Sequence, residues 1–536
     1  MSDPQSLQRF PASLGGKPMS SKVPWRKDMP PLLHFLEQKL NNRVRSHDQV
    51  LGYDIYFVDL SAWKLRFSNA TPILWLKESD LTGFDNARQV AESLIEALRM
   101  RGLIERQSIV VTEGAGWELR AAFQLSFLPI LVLDSDDAKA VVESRRPTGE
   151  LLDRLCTQLS PALLSPYEIS KPVYGSRFFG RESDLRRILY GSESNYAVMG
   201  IRRIGKSSLL REVERRLQEQ VQETMQEGGS SEDGALRIYY KDCSSITSSN
   251  ALMQAVVGHF HPQELNRLNN RQFPIFFPDF TRRMARRYGG QLVFLLDEFD
   301  ALLRAEFANE ELLDQLRAAS NEGHCRFIFA GFRDLLNETS SLRSPFFNFA
   351  KPLRLKEFSR DDAASLILLP LDSLRIRLER REEIVDLIYG ETAGQPNLIQ
   401  YYCTYLVDKL DRTGTRAIAP EDLAGVPEDE NFRAFLVNTF MDNTDHLEKA
   451  LVFSLILFDP VGEKRYDLET IEQALRRGNI DTRFLQLERA CRNLELTGIL
   501  DKSGRHYFFA IPIFPRVLRA NYNVKYLLSK IRDEGI

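Results

Sequence analysis

The feature that most constrains this chain is a short apolar strand that runs into a glycine-framed loop and then a helix. Residues 196–200 (YAVMG) read as the strand. Gly200, Ile201, Arg202, Arg203, Ile204, Gly205, Lys206, Ser207 and Ser208 form the loop, and residues 209–217 (LLREVERRL) open the helix. G-x-x-x-x-G-K-S in that context is a phosphate-cradling pattern. The glycines let the backbone curl until successive N–H groups point inward at phosphate oxygens. The helix N-terminus adds partial positive charge. Lys206 is placed to reach the β- and γ-phosphates, and Ser207 to put its hydroxyl on Mg²⁺.

A second element belongs with the first. Residues 291–296 (QLVFLL) form an apolar strand that ends in Asp297, Glu298, Phe299 and Asp300. Carboxylates at the end of a buried strand are costly without a task or a partner. Beside a phosphate loop, Asp297 is expected to hold Mg²⁺ through its water shell, and Glu298 to orient the attacking water. Asp300 reads as the cap of the next helix, or as a reserve carboxylate.

Composition narrows the rest. The 536 residues suggest three or four domains. Seventy-one Lys and Arg against 74 Asp and Glu leave no overall basic field, so nucleic-acid binding would have to use a local patch. The five cysteines are far apart and lack CxxC or Cys/His spacing, which points to buried thiols in a reducing compartment. No apolar run approaches the ~18 residues that span a membrane, and no signal-peptide core is present, so a cytoplasmic location is expected.

Along the chain, residues 1–30 read as a mobile tail. Residues 31–160 alternate strands (73–76, 108–111, 127–133) with a helix at 86–102, as in a small α/β module. Residues 161–177 read as a linker, 178–358 as the nucleotide domain with a polar loop at 224–235, and 359–440 as helices. Residues 441–536 read as three helices, a ribbon turning at Lys502-Ser503-Gly504-Arg505, and a final helix.

Residues 178–185 (FFGRESDL) resemble the F-x-G-R-x-x-E-L box that precedes the phosphate loop in STAND and origin-recognition-type AAA+ ATPases. In those families the box, with Arg181 here, meets the adenine side. Residues 326–330 (RFIFA) are similar to the sensor strand, although Gly331-Phe332 stands where Ser, Thr or Asn is usual, which leaves Arg333 as substitute. Residues 344–347 (SPFF) resemble the S-P-L segment without its following Arg, so Arg333 and Arg343 are the sensor or finger candidates. Residues 394–397 (GQPN) resemble the lid G-x-P motif, whose Pro (Pro396) approaches the nucleotide. The resemblance covers about residues 175–515.

It implies an α/β P-loop NTPase, a parallel sheet with flanking helices, followed by a helical lid and a winged helix, with a separate small α/β module in front. It also implies ATP and Mg²⁺ as ligands, slow hydrolysis, and a switch that governs homo-oligomeric assembly, an N-terminal effector or a protein trigger in bacterial defence or signalling. A DNA-binding AAA+ loader is the alternative. The winged helix could read DNA through Arg483, Arg489 and Arg492. Residues 446–536 hold 15 Lys and Arg against 12 Asp and Glu, and the interleaved Glu488 and Glu495 favour docking inside the molecule. A third alternative is a metal-dependent nuclease gated by the ATPase. Glu113 with Asp134 and Asp136 resembles toprim carboxylates, against a plain reading in which Ser135 or Asp136 caps the helix near Ala138. Arg282, Arg283, Arg286 and Arg287 share a helix face, which is either solvated or meets nucleic acid or a neighbouring subunit.

Overall fold

The structure is a computed structural model. It describes residues 29–534 except 78–79, 81–85, 105, 115, 127, 192–193, 227–235, 264, 266–272, 306–309, 343, 461 and 463. The expected N-terminal tail and most of the polar loop at 224–235 therefore lie outside the described residues.

The N-terminal module is built on a five-stranded sheet in the order β1 (Val44–Val50), β2 (Tyr53–Val58), β3 (Thr71–Leu76), β4 (Ser108–Thr112) and β5 (Ile130–Leu133). The first three strands form an antiparallel meander. Its first turn is Leu51-Gly52, both at positive φ (53° and 88°), which matches the twist of a two-residue hairpin. β3, β4 and β5 are parallel, joined by the helices Ala87–Met100 and Gly116–Ser126. Asn86 caps the first of these through the Gln89 N–H at 3.1 Å.

The carboxylates after β5 are committed to structure. Asp134, rather than Ser135 or Asp136, caps the helix Ser135–Glu143, with Asp137 closing the capping box. Arg120 bonds both Asp134 and Asp137, and Arg154 bonds Asp137. Among the described residues, no group of three His, Cys, Asp or Glu could hold a metal ion.

Alternation along these strands feeds two cores. Val110, Ile130 and Val132 face the module's own helices. Ile109, Val111, Leu131 and Leu133 face a core that continues through Leu151 and Leu155 into the lid. Further ties cross the same boundary. Arg375 donates to Asp153 at 2.9 Å, and Arg416 to the Cys156 carbonyl at 2.5 Å. Tyr167, in the expected linker, donates to the Ile367 carbonyl at 2.9 Å. The linker is thus a strap across the lid, and it begins with a short helix, Pro161–Leu164.

The nucleotide domain has a wholly parallel sheet. Its strands are β6 (Asn195–Met199), β7 (Arg237–Asp242), β8 (Leu292–Asp297), β9 (Cys325–Gly331) and β10 (Ala350–Arg354), in the order β10-β6-β9-β8-β7. β6, β8 and β9 are buried along their whole lengths, as parallel strands covered on both faces must be. One covering layer is aromatic, with Phe294 stacked on Phe327 at 5.1 Å and Phe327 on Phe329 at 5.6 Å.

The lid follows as Arg360–Ser373, Arg381–Thr392 and Pro396–Thr413, with a minimal parallel pair, β11 (Arg377–Leu378) and β12 (Ala417–Ile418). The helix Glu430–Asn443 runs through the boundary expected at 440. The C-terminal unit is His446–Phe458, Leu468–Arg477 and Phe484–Leu496, then the hairpin β13 (Leu500–Ser503) and β14 (His506–Phe509). This is the helix, helix, helix, wing order. Two helices, Ile513–Asn521 and Val524–Asp533, replace the single one expected at the end. Leu487, Cys491 and Leu494 are buried as their spacing predicts, but Phe484, at the helix start, is 64% exposed. All five cysteines are buried free thiols. Among the described residues no helix is long and apolar enough to cross a membrane.

Candidate nucleotide site

The strand order puts the carboxyl ends of β6, β9 and β8 side by side, and the site forms there. Gly200 ends β6. A Cβ at this position would lie 2.9 Å from Ile204 and 3.1 Å from the Leu355 carbonyl, so only glycine fits. Gly205 has φ of 105° and Arg203 of 66°, which turn the loop back on itself before the helix Lys206–Gln226. Lys206 is 7% exposed. Its Nζ donates to the carbonyls of Gly200 at 2.9 Å and Ile201 at 3.0 Å. Burial lowers its pKa, opposed by Glu298, Asp297 and Asp300.

Asp297 closes β8 at 2% exposure. Its Oδ1 accepts from the Glu298 N–H at 3.0 Å and its Oδ2 from the Tyr240 hydroxyl at 2.7 Å. Glu298 has φ of 49° and stands exposed at the strand end. Partial desolvation pushes its carboxyl pKa up, Lys206 pulls it down, and Asp297 and Asp300 add to the rise.

Asp300 does not cap the helix it begins. Buried to 3%, it turns to the next strand end, where its oxygens accept the N–H groups of Phe332, Asp334 (2.7 Å) and Leu335 (3.1 Å). It therefore caps the helix Arg333–Ser340 from across the sheet. It also accounts for Gly331: a Cβ there would collide with the Asp300 carboxylate. The polar side chain usual at the sensor position is excluded by its neighbour.

The remaining candidates fall into place or away. Ser207 is half-buried at the first turn of the loop helix, and the Ser208 hydroxyl accepts the Val173 N–H at 3.1 Å. Arg202 is exposed and Ile204 buried. Arg181, at 6% exposure, sits behind the loop and donates to the carbonyls of Ile204 (3.1 Å) and Lys356 (2.5 Å). Its position is that of a brace for the loop. Pro396 is buried at the first turn of its helix, and its neighbour Asn397 donates to the Ile169 carbonyl at 2.8 Å. Arg343 lies outside the described residues.

Arg333 is turned away from β8 into the C-terminal region. It donates to the Asn443 carbonyl at 3.0 Å and to Glu448 at 3.2 Å. A solvent-open cleft of about 600 Å³ marks this seam. It is lined by Ile201, Arg203, Phe332, Gln395, Phe435 and Thr439, among others.

Residues 189–337 match the AAA domain family. The nucleotide-binding unit is a P-loop ATPase of the AAA+ type. The solved structures that share the fold of this part of the chain include the following two. The Walker-type ATPase of Pyrococcus abyssi is 16% identical, with 66% of this chain and 99% of that chain covered at a TM-score of 0.50. The ORC2 protein of Aeropyrum pernix, in its ADPNP–ADP complexes, is 14% identical, with 69% and 98% covered at 0.52. No curated protein matches the chain.

ATP and Mg²⁺ are the ligands of this unit, and the donor set fits them. The loop presents N–H groups and an ammonium on one side and a buried carboxylate on the other, with a serine hydroxyl at the helix start. Mg²⁺, when bound, neutralises charge on the transferring phosphate.

Lys206→Ala is expected to weaken ATP binding by about 2–5 kcal/mol, the scale for truncating one partner of a buried charge pair. Titration with a fluorescent ATP analogue checks this, and wild-type affinity would displace the site. Glu298→Gln keeps the shape and loses the charge. Binding should persist while turnover falls on the order of 10²-fold, measured as phosphate release. Asp300 is no substitute, because its oxygens are occupied by three N–H groups.

Proposed function

We propose that this chain is a STAND-like switch, in which ATP binding and slow hydrolysis decide whether the C-terminal unit stays clasped to the phosphate loop. In this reading Lys206 and the loop N–H groups hold the phosphates, Ser207 and Asp297 hold the metal, and Glu298 orients the attacking water. Arg181 and Pro396 support the loop and the lid around the nucleotide.

The observation that carries the proposal is a double contact. Arg203, inside the loop, stacks over Phe435 at 4.0 Å and donates to Thr439 at 3.2 Å, both on the helix Glu430–Asn443 that leads into the C-terminal unit. Arg333, beside the loop, ion-pairs with Glu448, which is 0% exposed and also accepts from Asn493 at 2.7 Å. Phe332 lies between the two cations, 5.9 Å from Lys206 Nζ and 5.6 Å from the Arg333 guanidinium. Gly498, past the third helix, abuts Ile201 of the loop. Two states differing in these contacts would be biased by a nucleotide that binds one better. Because Glu448 occupies Arg333, the arginine that stabilises the transition state would come from a neighbouring copy, consistent with self-assembly.

Arg333→Gln leaves Glu448 buried without its cation. Hydrogen exchange over residues 446–496 should be fast in this variant without nucleotide, whereas in the wild type it should become fast only with ATP. Equal protection with and without ATP in the wild type would sink the switch.

A second reading, a DNA-binding loader, rests on a different observation. Arg489 and Arg492 are exposed on the third helix, with Lys502 and Arg505 exposed on the hairpin. They do not form the intramolecular dock their spacing suggested; Glu448 and Asn493 do. If this face meets a duplex, replacing both arginines with Ala should reduce the salt slope of log K by about 2. No salt-dependent duplex binding in the wild type would exclude this reading.

A further inference from the structure

Asp297 is buried, and a buried carboxylate needs hydrogen-bond donors. Among the described residues its oxygens have two, and they differ in kind. The Glu298 N–H is part of the strand end and comes with the backbone. The Tyr240 hydroxyl comes from the neighbouring edge strand β7, at 2.7 Å. The register pairs Asp242 with Asp297 and Tyr240 with Leu295, so Tyr240 reaches forward along the sheet to the carboxylate.

The ring is held from the other side by the loop helix. The Arg211 guanidinium lies 3.3 Å from the centroid of Tyr240, and its Nη1 is tied to Glu214 at 2.9 Å. The helix that begins with Lys206 therefore presses a cation on the ring whose hydroxyl holds Asp297.

We infer that Tyr240 is a positioning residue for the metal: its hydroxyl fixes the orientation of Asp297, leaving the remaining lone pair of each carboxylate oxygen for the magnesium water shell. The inference rests on the assignment of Asp297 to the metal. Partners that orient a metal-holding carboxylate typically matter 10- to 100-fold in metal affinity. Arg211 extends the arrangement to the phosphate loop, so that the loop side and the metal side of the site are set by one stack of side chains.

The test uses the full chain and a fluorescent non-hydrolysable ATP analogue, titrated with and without Mg²⁺. Mn²⁺ binding is followed separately by electron paramagnetic resonance. Tyr240→Phe keeps the ring under Arg211 and removes only the hydroxyl. Its metal-free analogue affinity should equal that of the wild type. The tightening produced by Mg²⁺ should fall by about tenfold, with a parallel loss in Mn²⁺ affinity. Asp297→Asn, which removes the carboxylate itself, should lose that tightening altogether.

Wild-type metal coupling in Tyr240→Phe overturns the inference. So does an equal loss of analogue affinity with and without metal, because that marks a merely structural role. Should Asp297→Asn retain metal coupling, the assignment of Asp297 has failed, and the inference with it. A wild type that binds no analogue under either condition sinks the site reading instead.

Discussion

An ammonium at 7% exposure must be given oxygens, and the folding of the nucleotide domain arranges them for Lys206. Two carbonyls come from its own loop. The carboxylates of Asp297, Glu298 and Asp300 supply a negative field from the end of β8. That arrangement needs β8 and β6 to end at the same level with β9 between them, which a parallel sheet provides. It needs Gly200 and Gly205 to bend the loop. It also needs Arg181 behind the loop, tying the Ile204 carbonyl to that of Lys356 after β10. In the proposed function, the same charge that the fold must satisfy internally is the charge an incoming triphosphate would use.

Asp300 illustrates how one choice propagates. Its carboxylate satisfies three N–H groups at the start of the helix after β9. That capping excludes any side chain at position 331. The cation next in line, Arg333, then extends to Glu448 in the C-terminal unit. A local steric exclusion beside the phosphate loop thus directs the next side chain into an interdomain ion pair.

The parts of the site legible in the sequence are the ones written locally. Strand, loop and helix around Lys206 are contiguous, and so are the strand and carboxylates around Asp297. The strands at β3, β4 and β5 showed in their apolar runs. What could not be read depends on partners distant in sequence. Tyr240 and Asp297 are 57 residues apart, and Arg333 and Glu448 are 115 apart. Each of those residues has an ordinary local explanation: Tyr240 is a strand residue, and Glu448 completes a capping box with Asp445. The departure at Gly331 was visible, but its cause was not, because Asp300 reaches it only after β8 and β9 are laid side by side. Phe484 shares the helical spacing of the buried Leu487, Cys491 and Leu494 yet is exposed, for a related reason. Helical spacing defines a stripe, but not where along the stripe the neighbouring helices end.

The continuous core that joins the N-terminal sheet to the lid has a mechanical consequence. Leu131 and Leu133 share one apolar interior with Ile367, Tyr402 and Leu406, and Arg375 and Arg416 tie the rims together. Close-packed interiors transmit displacement without absorbing it. The N-terminal sheet is therefore fixed to the lid, and its edge strand β1 also touches the nucleotide domain, where Arg45 ion-pairs with Glu219 of the loop helix at 3.6 Å, so any rotation of the lid against the loop helix would load that ion pair. In the proposed switch the module would be the bridge that carries strain between the lid and the helix behind the phosphate loop.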